Sequence, residues 1–206
     1  MPNWCDNTLT ISGASEKLKE FKDVFKGSPV KWSKEDPANI DGILFEYDKI
    51  QKEQEKTICF NALVPVPKEM IEIGYSDRGN SSQLSTFEYL NSASDGYTWC
   101  IKNWGTKWDI DSDAIDIIEE ENKISYCFET AWSPCVPFVI AVSKKFPDLN
   151  FSLSYCEMGI GFAGQIVLIN GEIASEIEYD STDSGYEDFI YNGLGYERMD
   201  DDEADD

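Results

Sequence analysis

The sequence predicts an α+β domain, and three observations carry that prediction. Ile124, Tyr126 and Phe128 alternate with polar neighbours, and Phe151, Leu153 and Tyr155 do the same, the period-2 signature of strands buried on one face. Between them Phe138, Val139, Val142 and Phe146 recur at helical spacing, with Pro137 suited to a first turn and Pro147 just beyond the end. A second strand and helix pair opens the chain, so strands and helices interleave around one core.

Taken in order, Thr8, Thr10 and Ser12 alternate with Leu9 and Ile11 as a first strand closed by Gly13. Ser15 is the expected N-cap of a helix whose stripe is Leu18, Phe21, Val24 and Phe25, stopped by Gly27-Ser28-Pro29. Residues 31–56 are polar with isolated anchors and predict an insertion. Thr57–Val64 is apolar enough for a strand, ended by Pro65-Val66-Pro67. Residues 68–122 predict a second insertion. Within it Met70, Ile71 and Ile73 suggest a short helix, Gly74 to Ser85 a loop, and Asp109 to Glu121 an acidic helix with Ile110, Ile115 and Ile118 inward. Ser133-Pro134 ends the strand that starts at Lys123. After the strand at 151–155, Gly159 to Gly164 reads as a hairpin turn or bulge and Ile166–Ile169 as another strand.

The chain has 206 residues, enough for one domain that buries roughly 70% of its unfolded surface. The N-terminus lacks a basic segment followed by an apolar one, and no run reaches a membrane span, so a cytoplasmic protein without membrane association is expected. The six cysteines are scattered without a C-x-x-C pair and read as free thiols. With no histidine anywhere, a mixed Cys/His zinc site is excluded and the commonest general base near neutral pH is missing, which points away from an enzyme. No cofactor or metal is expected.

Forty acidic against seventeen basic residues give a formal charge of -23. Such a balance repels phosphates, so direct nucleic-acid binding is not expected, and it favours a basic protein partner. A compact chain of this size is about 43 Å across, a length over which duplex DNA carries about 25 phosphate charges. That correspondence suggests an acidic surface presented to a basic protein that normally binds nucleic acid. The expected interaction surface is Glu172, Glu176, Glu178, Asp180, Asp183, Glu187 and Asp188. Residues 172–198 are expected to pack on the domain as an acidic extension, and 199–206 to form a disordered acidic tail.

The aromatic concentration between Phe87 and Asp109 has two readings: a satellite hydrophobic cluster pinning an inserted helix, or a ligand pocket formed by Trp104, Lys107, Trp108, Asp109, Trp132 and Glu157. Asp109, Asp111, Asp113 and Glu120 occupy calcium-loop positions, but Ala114 stands where the sharp-turn glycine belongs. Gly159 to Gly164 is followed by strand-like residues and so does not open a dinucleotide-binding helix. Cys127 and Cys135 lack a nearby base and read as buried thiols.

Several strings in order resemble the YubB-type ferredoxin-like family: Pro2-Asn3-Trp4-Cys5-Asp6-Asn7, Phe60-Asn61 with Pro65-Val66-Pro67, Asn103 to Asp109, Phe128 to Pro134, and Tyr155 to Gly159 with Phe162-Ala163-Gly164. The match spans residues 2–171. It implies a ferredoxin-like β-α-β-β-α-β sheet with helices on one face, within a domain 1–171, and no iron–sulfur cluster. It also implies carriage by phages and plasmids, with no settled activity. Cys135 departs from it, standing where a second proline is expected.

Overall fold

The computed structural model describes residues 3–32, 56–75 and 92–196. Its centre is a six-stranded sheet in the order β4-β5-β1-β6-β7-β8, every neighbour antiparallel. The strands are β1 (Trp4–Ser12), β4 (Asp116–Glu120), β5 (Lys123–Ala131), β6 (Asn150–Glu157), β7 (Phe162–Ile169) and β8 (Glu172–Asp180). β2 (Lys26–Gly27) and β3 (Thr57–Ile58) form a separate two-stranded piece. The four strands β4-β5-β1-β6, with helix α1 (Ser15–Val24) after β1 and a helix between β5 and β6, make the expected ferredoxin-like β-α-β-β-α-β unit. β7 and β8 widen it beyond β6.

One face of the sheet carries the core. Leu9 and Ile11 of β1, Ile124, Tyr126 and Phe128 of β5, and Phe151, Leu153 and Tyr155 of β6 all point to it and are buried. Rings dominate the packing. Phe21 of α1 meets Phe25, Tyr126, Phe146 and Phe151, and Phe60 sits between Phe138, Trp104 and Phe128 with centroids 4.3–5.9 Å away. Truncating such a fully buried ring to Ala costs about 3–5 kcal/mol.

Four expectations are corrected. Thr57–Val64 is not one strand: after Ile58 the chain turns into α2 (Phe60–Leu63), because the distant Asp109 carboxylate accepts the backbone N–H groups of Phe60 and Asn61 at 2.6 and 3.3 Å. Asp109–Glu121 is not a helix. A 3₁₀ turn at Ser112–Ala114 leads into β4, which pairs with β5 through the two-residue turn Glu121-Asn122. The adjacent β-branched Ile117 and Ile118 suit that edge strand, and both stay exposed. Ser15 is not the cap of α1. Ala14 takes that place, while the Ser15 hydroxyl donates to the Glu121 carbonyl and the Asn122 side chain, tying the helix start to the β4–β5 hairpin. Val24 leaves the apolar stripe and is exposed.

The other elements follow their sequence signals. α3 is Lys68–Ile73. α4 (Gly96–Trp104) opens with Asp95 and Thr98 in a reciprocal capping box. α5 (Val136–Lys145) has proline in its first turn and lysines in its last. β7 begins at Phe162, earlier than the apolar run 166–169. Asn170 and Gly171, both at positive φ, turn it into β8 as two-residue hairpin loops require. Residues 181–196 then cross the face opposite the core, where Ile190 packs on Cys156 and Ala163 and the Tyr196 hydroxyl donates to Asp6 at 2.5 Å. They include α6 (Tyr186–Asp188) and a π-turn at Phe189–Leu194. The 31–56 insertion, the loop expected at 74–85 and the 199–206 tail lie wholly or largely outside the described residues.

Candidate functional site

Two regions gather the residues singled out in the sequence. The first is the end of the sheet where β1 starts and β5 stops. A hydrogen-bond network closes it: Asn7 donates to the Thr130 hydroxyl, Thr106 to the Ala131 carbonyl, Ser133 to the Gly105 carbonyl, and the Trp132 N–H to the Asn3 carbonyl, all at 2.6–3.0 Å. Gly105 sits at φ 86°, and a Cβ there would lie 2.6 Å from the Pro134 carbonyl oxygen. A larger residue has no room.

The six residues of the pocket reading divide at this end. Trp104 is 1% exposed and donates its indole N–H to the Val64 carbonyl. Asp109 holds the start of α2 and accepts the Ile110 N–H. Burial pushes its carboxyl up to about 6, against the pull of the backbone N–H groups from Phe60, Ile110 and Asn61. Glu157 is buried and accepts the Gly159 and Ile160 N–H groups of the β6–β7 turn. Lys107, Trp108 and Trp132 do meet, on the surface. The Lys107 ammonium stands 4.0 Å from the Trp108 ring and 5.0 Å from the Trp132 ring, a cation–π arrangement. Trp4 joins at 6.2 Å from Trp108. Trp132 is 57% exposed at φ 75°, a conformation that strains a bulky side chain. Trp99 pins α4 inward, edge-on to Trp104.

The second region is β8 and the turn after it. Cross-strand partners share a face, so Glu176, opposite Ile166, and Glu178, opposite Gly164, lie on the core side of the sheet with Asp180. The Tyr155 hydroxyl confirms it by donating to Glu178 at 3.3 Å. A bulge between Val167 and Leu168 shifts the register, which puts Glu172 on the opposite face. Asp180 and Asp183 are partly used locally. Asp180 accepts from the Thr182 N–H and hydroxyl, which hold its carboxyl below the usual range, and Asp183 accepts the Asp180 N–H. Asp188 accepts from Asn192, and Glu187 is exposed beside it. The seven residues expected to form the acidic surface therefore comprise a row of three, one residue on the reverse face, and three in the following turn and helix.

Beside that row runs a groove of about 490 Å³ lined by Pro134, Tyr155, Phe162, Ala163, Glu178, Tyr179, Asp180 and Asp183. Sequence reasoning missed it, because Pro134 and Tyr155 reach it only through the fold. The calcium-loop positions do not converge: Asp109 faces α2, while Glu120 pairs with Lys123 at 2.8 Å. Among the described residues no group of three or more Cys, Asp or Glu is placed to hold a metal ion. Burial raises the Cys5, Cys59, Cys100, Cys135 and Cys156 thiols above their ordinary value, the state of inert structural cysteines. No helix among the described residues is long and apolar enough to cross a membrane.

Residues 103–197, from the end of α4 through β8 and the segment over the open face, match the family described as the ferredoxin-like domain in Api92-like protein. These residues are similar to that domain. The crystal structure of protein api92 from Yersinia pseudotuberculosis superposes on it with a TM-score of 0.57 at 13% identity, covering 89% of this chain and 100% of that one. At that identity the likeness shows the fold alone. No curated protein matches the chain. Within the matched residues lie β4, β5, the Lys107–Trp108–Trp132 cluster and the whole of β8.

Proposed function

We propose that this protein is a non-enzymatic binding module whose acidic β8 side occupies the basic surface of a nucleic-acid-binding protein and blocks it. One observation carries the reading: from Phe146 to Glu197 the sequence has ten Asp and Glu and no Lys or Arg, and this stretch builds β6, β7, β8 and the segment crossing the open face. Half of the sheet is thus negative without internal counter-charge. Such a field steers a basic partner and repels nucleic acid. In keeping with a YubB-type, phage- or plasmid-borne origin, the partner is a host defence protein in the cytoplasm, of the kind countered by anti-CRISPR or anti-restriction inhibitors. The test is displacement of labelled duplex DNA from basic defence nucleases by the purified chain. Release that weakens as salt rises is the expected result, and failure to displace DNA from any of them at low salt refutes the proposal.

A second reading has its own support. Lys107 between Trp108 and Trp132, with Trp132 in a strained conformation, offers a cation and flat rings to a small planar or anionic ligand. Thermal stabilisation by a metabolite, lost in Lys107→Ala, would favour it.

A further inference from the structure

We infer that β8 is a docking edge to which an extended, basic segment of the partner protein adds as a further strand, with Lys or Arg at alternate positions. This inference rests on the acidic-surface reading above and gives it a geometry. β8 is the last strand of the sheet, paired to β7 along one side only. Along its other side, no strand among the described residues takes up its backbone groups. Nine residues is long for an edge strand left unpaired among the described residues, since edges are usually kept short, covered or charged against stray pairing.

The side chains of β8 state what can pair there. From Ser175 onward the register is regular, so Glu176, Glu178 and Asp180 project on one face and Ser175, Ile177 and Tyr179 on the other. Residues of an added strand lie directly opposite these, at Cβ distances of about 4.5–5.5 Å, where opposite charges attract and like charges repel. Basic residues at alternate positions therefore meet the carboxylate row. The intervening positions meet Ile177, which is 43% exposed, and favour a β-branched apolar side chain.

The groove at the Asp180 end sharpens the choice. Its floor is apolar and aromatic, from Pro134, Tyr155 and Phe162, and its rim is Glu178, Asp180 and Asp183. A Lys or Arg stem lies along such a floor with its head at the rim. The same row disfavours a second copy of this chain, because β8 pairing with β8 opposes carboxylate to carboxylate. The bland account is that the charges and the bulge merely keep the edge from aggregating, and the experiment separates the two.

Three labelled peptides long enough to span Ser175–Asp180 are titrated into the intact protein by fluorescence anisotropy. One alternates Lys and Val, one has the same composition in two blocks, and one is the alternating peptide with every second backbone amide N-methylated. The alternating peptide is expected to bind about tenfold more tightly than either control. It should slow amide hydrogen exchange across Ser175–Asp180, and Glu178→Lys should weaken it about tenfold while Glu119→Lys leaves it within twofold. Equal binding of all three peptides overturns strand addition while leaving the acidic-surface reading intact. No binding of any peptide also overturns it, and so does a dimer whose β8 amides are already protected without peptide. Failure to displace DNA from a basic nuclease, with the peptide ranking intact, would instead remove the blocking function and keep the docking edge.

Discussion

The two edges of the sheet are both acidic, yet they stand in different surroundings. β4 has Asp116, Glu119 and Glu120 in five residues, but Lys22 of α1 reaches Glu119 at 2.6 Å and Lys123 reaches Glu120 at 2.8 Å. β8 has four acidic residues in nine and lies in a stretch with no basic residue at all. Five strand spacings, about 24 Å, separate them. The contrast teaches that a count of charges says little about a surface. At β4 the fold brings lysines from a helix and a hairpin to the carboxylates, whereas at β8 it extends the sheet away from α1 and leaves the row facing solvent.

The largest test of that contrast is charge reversal at each edge. Replacing Glu176, Glu178 and Asp180 together by Lys should weaken capture of a basic partner about a hundredfold at low salt. The same exchange at Asp116, Glu119 and Glu120 should cost less than about tenfold, with both differences shrinking as salt screens them. Equal losses measured by titration calorimetry would mean the edges do not differ.

Next in size is a control between the edges. Desolvation holds the Asp109 carboxyl at a raised value, from 3.8 to about 6, so folding favours its protonated form. That contribution is fully present below about pH 4 and is lost as pH rises through 6. Asp109→Asn should therefore change the unfolding free energy from urea titration, relative to the parent chain, by an amount that moves by about 1–3 kcal/mol between pH 4 and 6 and is flat outside that window. Partner binding at β8 should be unaffected.

Smaller again is the strain at Trp132. If its left-handed backbone is intrinsic, Trp132→Gly should be more stable than Trp132→Ala by about 1 kcal/mol in thermal denaturation, since glycine alone adopts that conformation freely. A Gly variant no more stable than Ala would place the strain elsewhere. Smallest is Lys22→Met, which removes an exposed ion pair and should lower stability by about 0.2–1 kcal/mol with no loss of partner affinity. A large binding defect there would undo the distinction between the edges.

Much of the fold was legible. The alternation at Leu9–Ile11, Ile124–Phe128 and Phe151–Tyr155 marked three of the four core strands, and Pro137 with Lys144 and Lys145 bounded α5. The fourth core strand was not legible, because the signal was split. Thr57–Val64 has the right composition, but Asp109 draws Phe60 and Asn61 into a helical turn from 49 residues away. β4 itself is polar enough to read as a helix until β5 is placed beside it. The β8 pairing had a signal that went unused, the Asn170-Gly171 dipeptide between an apolar run and an alternating one. Of the candidate site, the acidic residues were visible as composition. Their division into a row, a reversed Glu172 and a turn was not, since one bulge decides it. The pocket reading failed to separate Trp104, Asp109 and Glu157, which face inward, from Lys107, Trp108 and Trp132, which meet outside.

By itself, then, the sequence determined the class of the domain, the negative half from Phe146 onward and the absence of histidine chemistry, because these follow from periodicity and composition alone. Tertiary structure decided which carboxylates are neutralised, which cap a buried helix and which line an open edge. Those outcomes depend on partners far apart in the chain, and only the paired sheet and packed helices bring them within reach of a hydrogen bond or a charge.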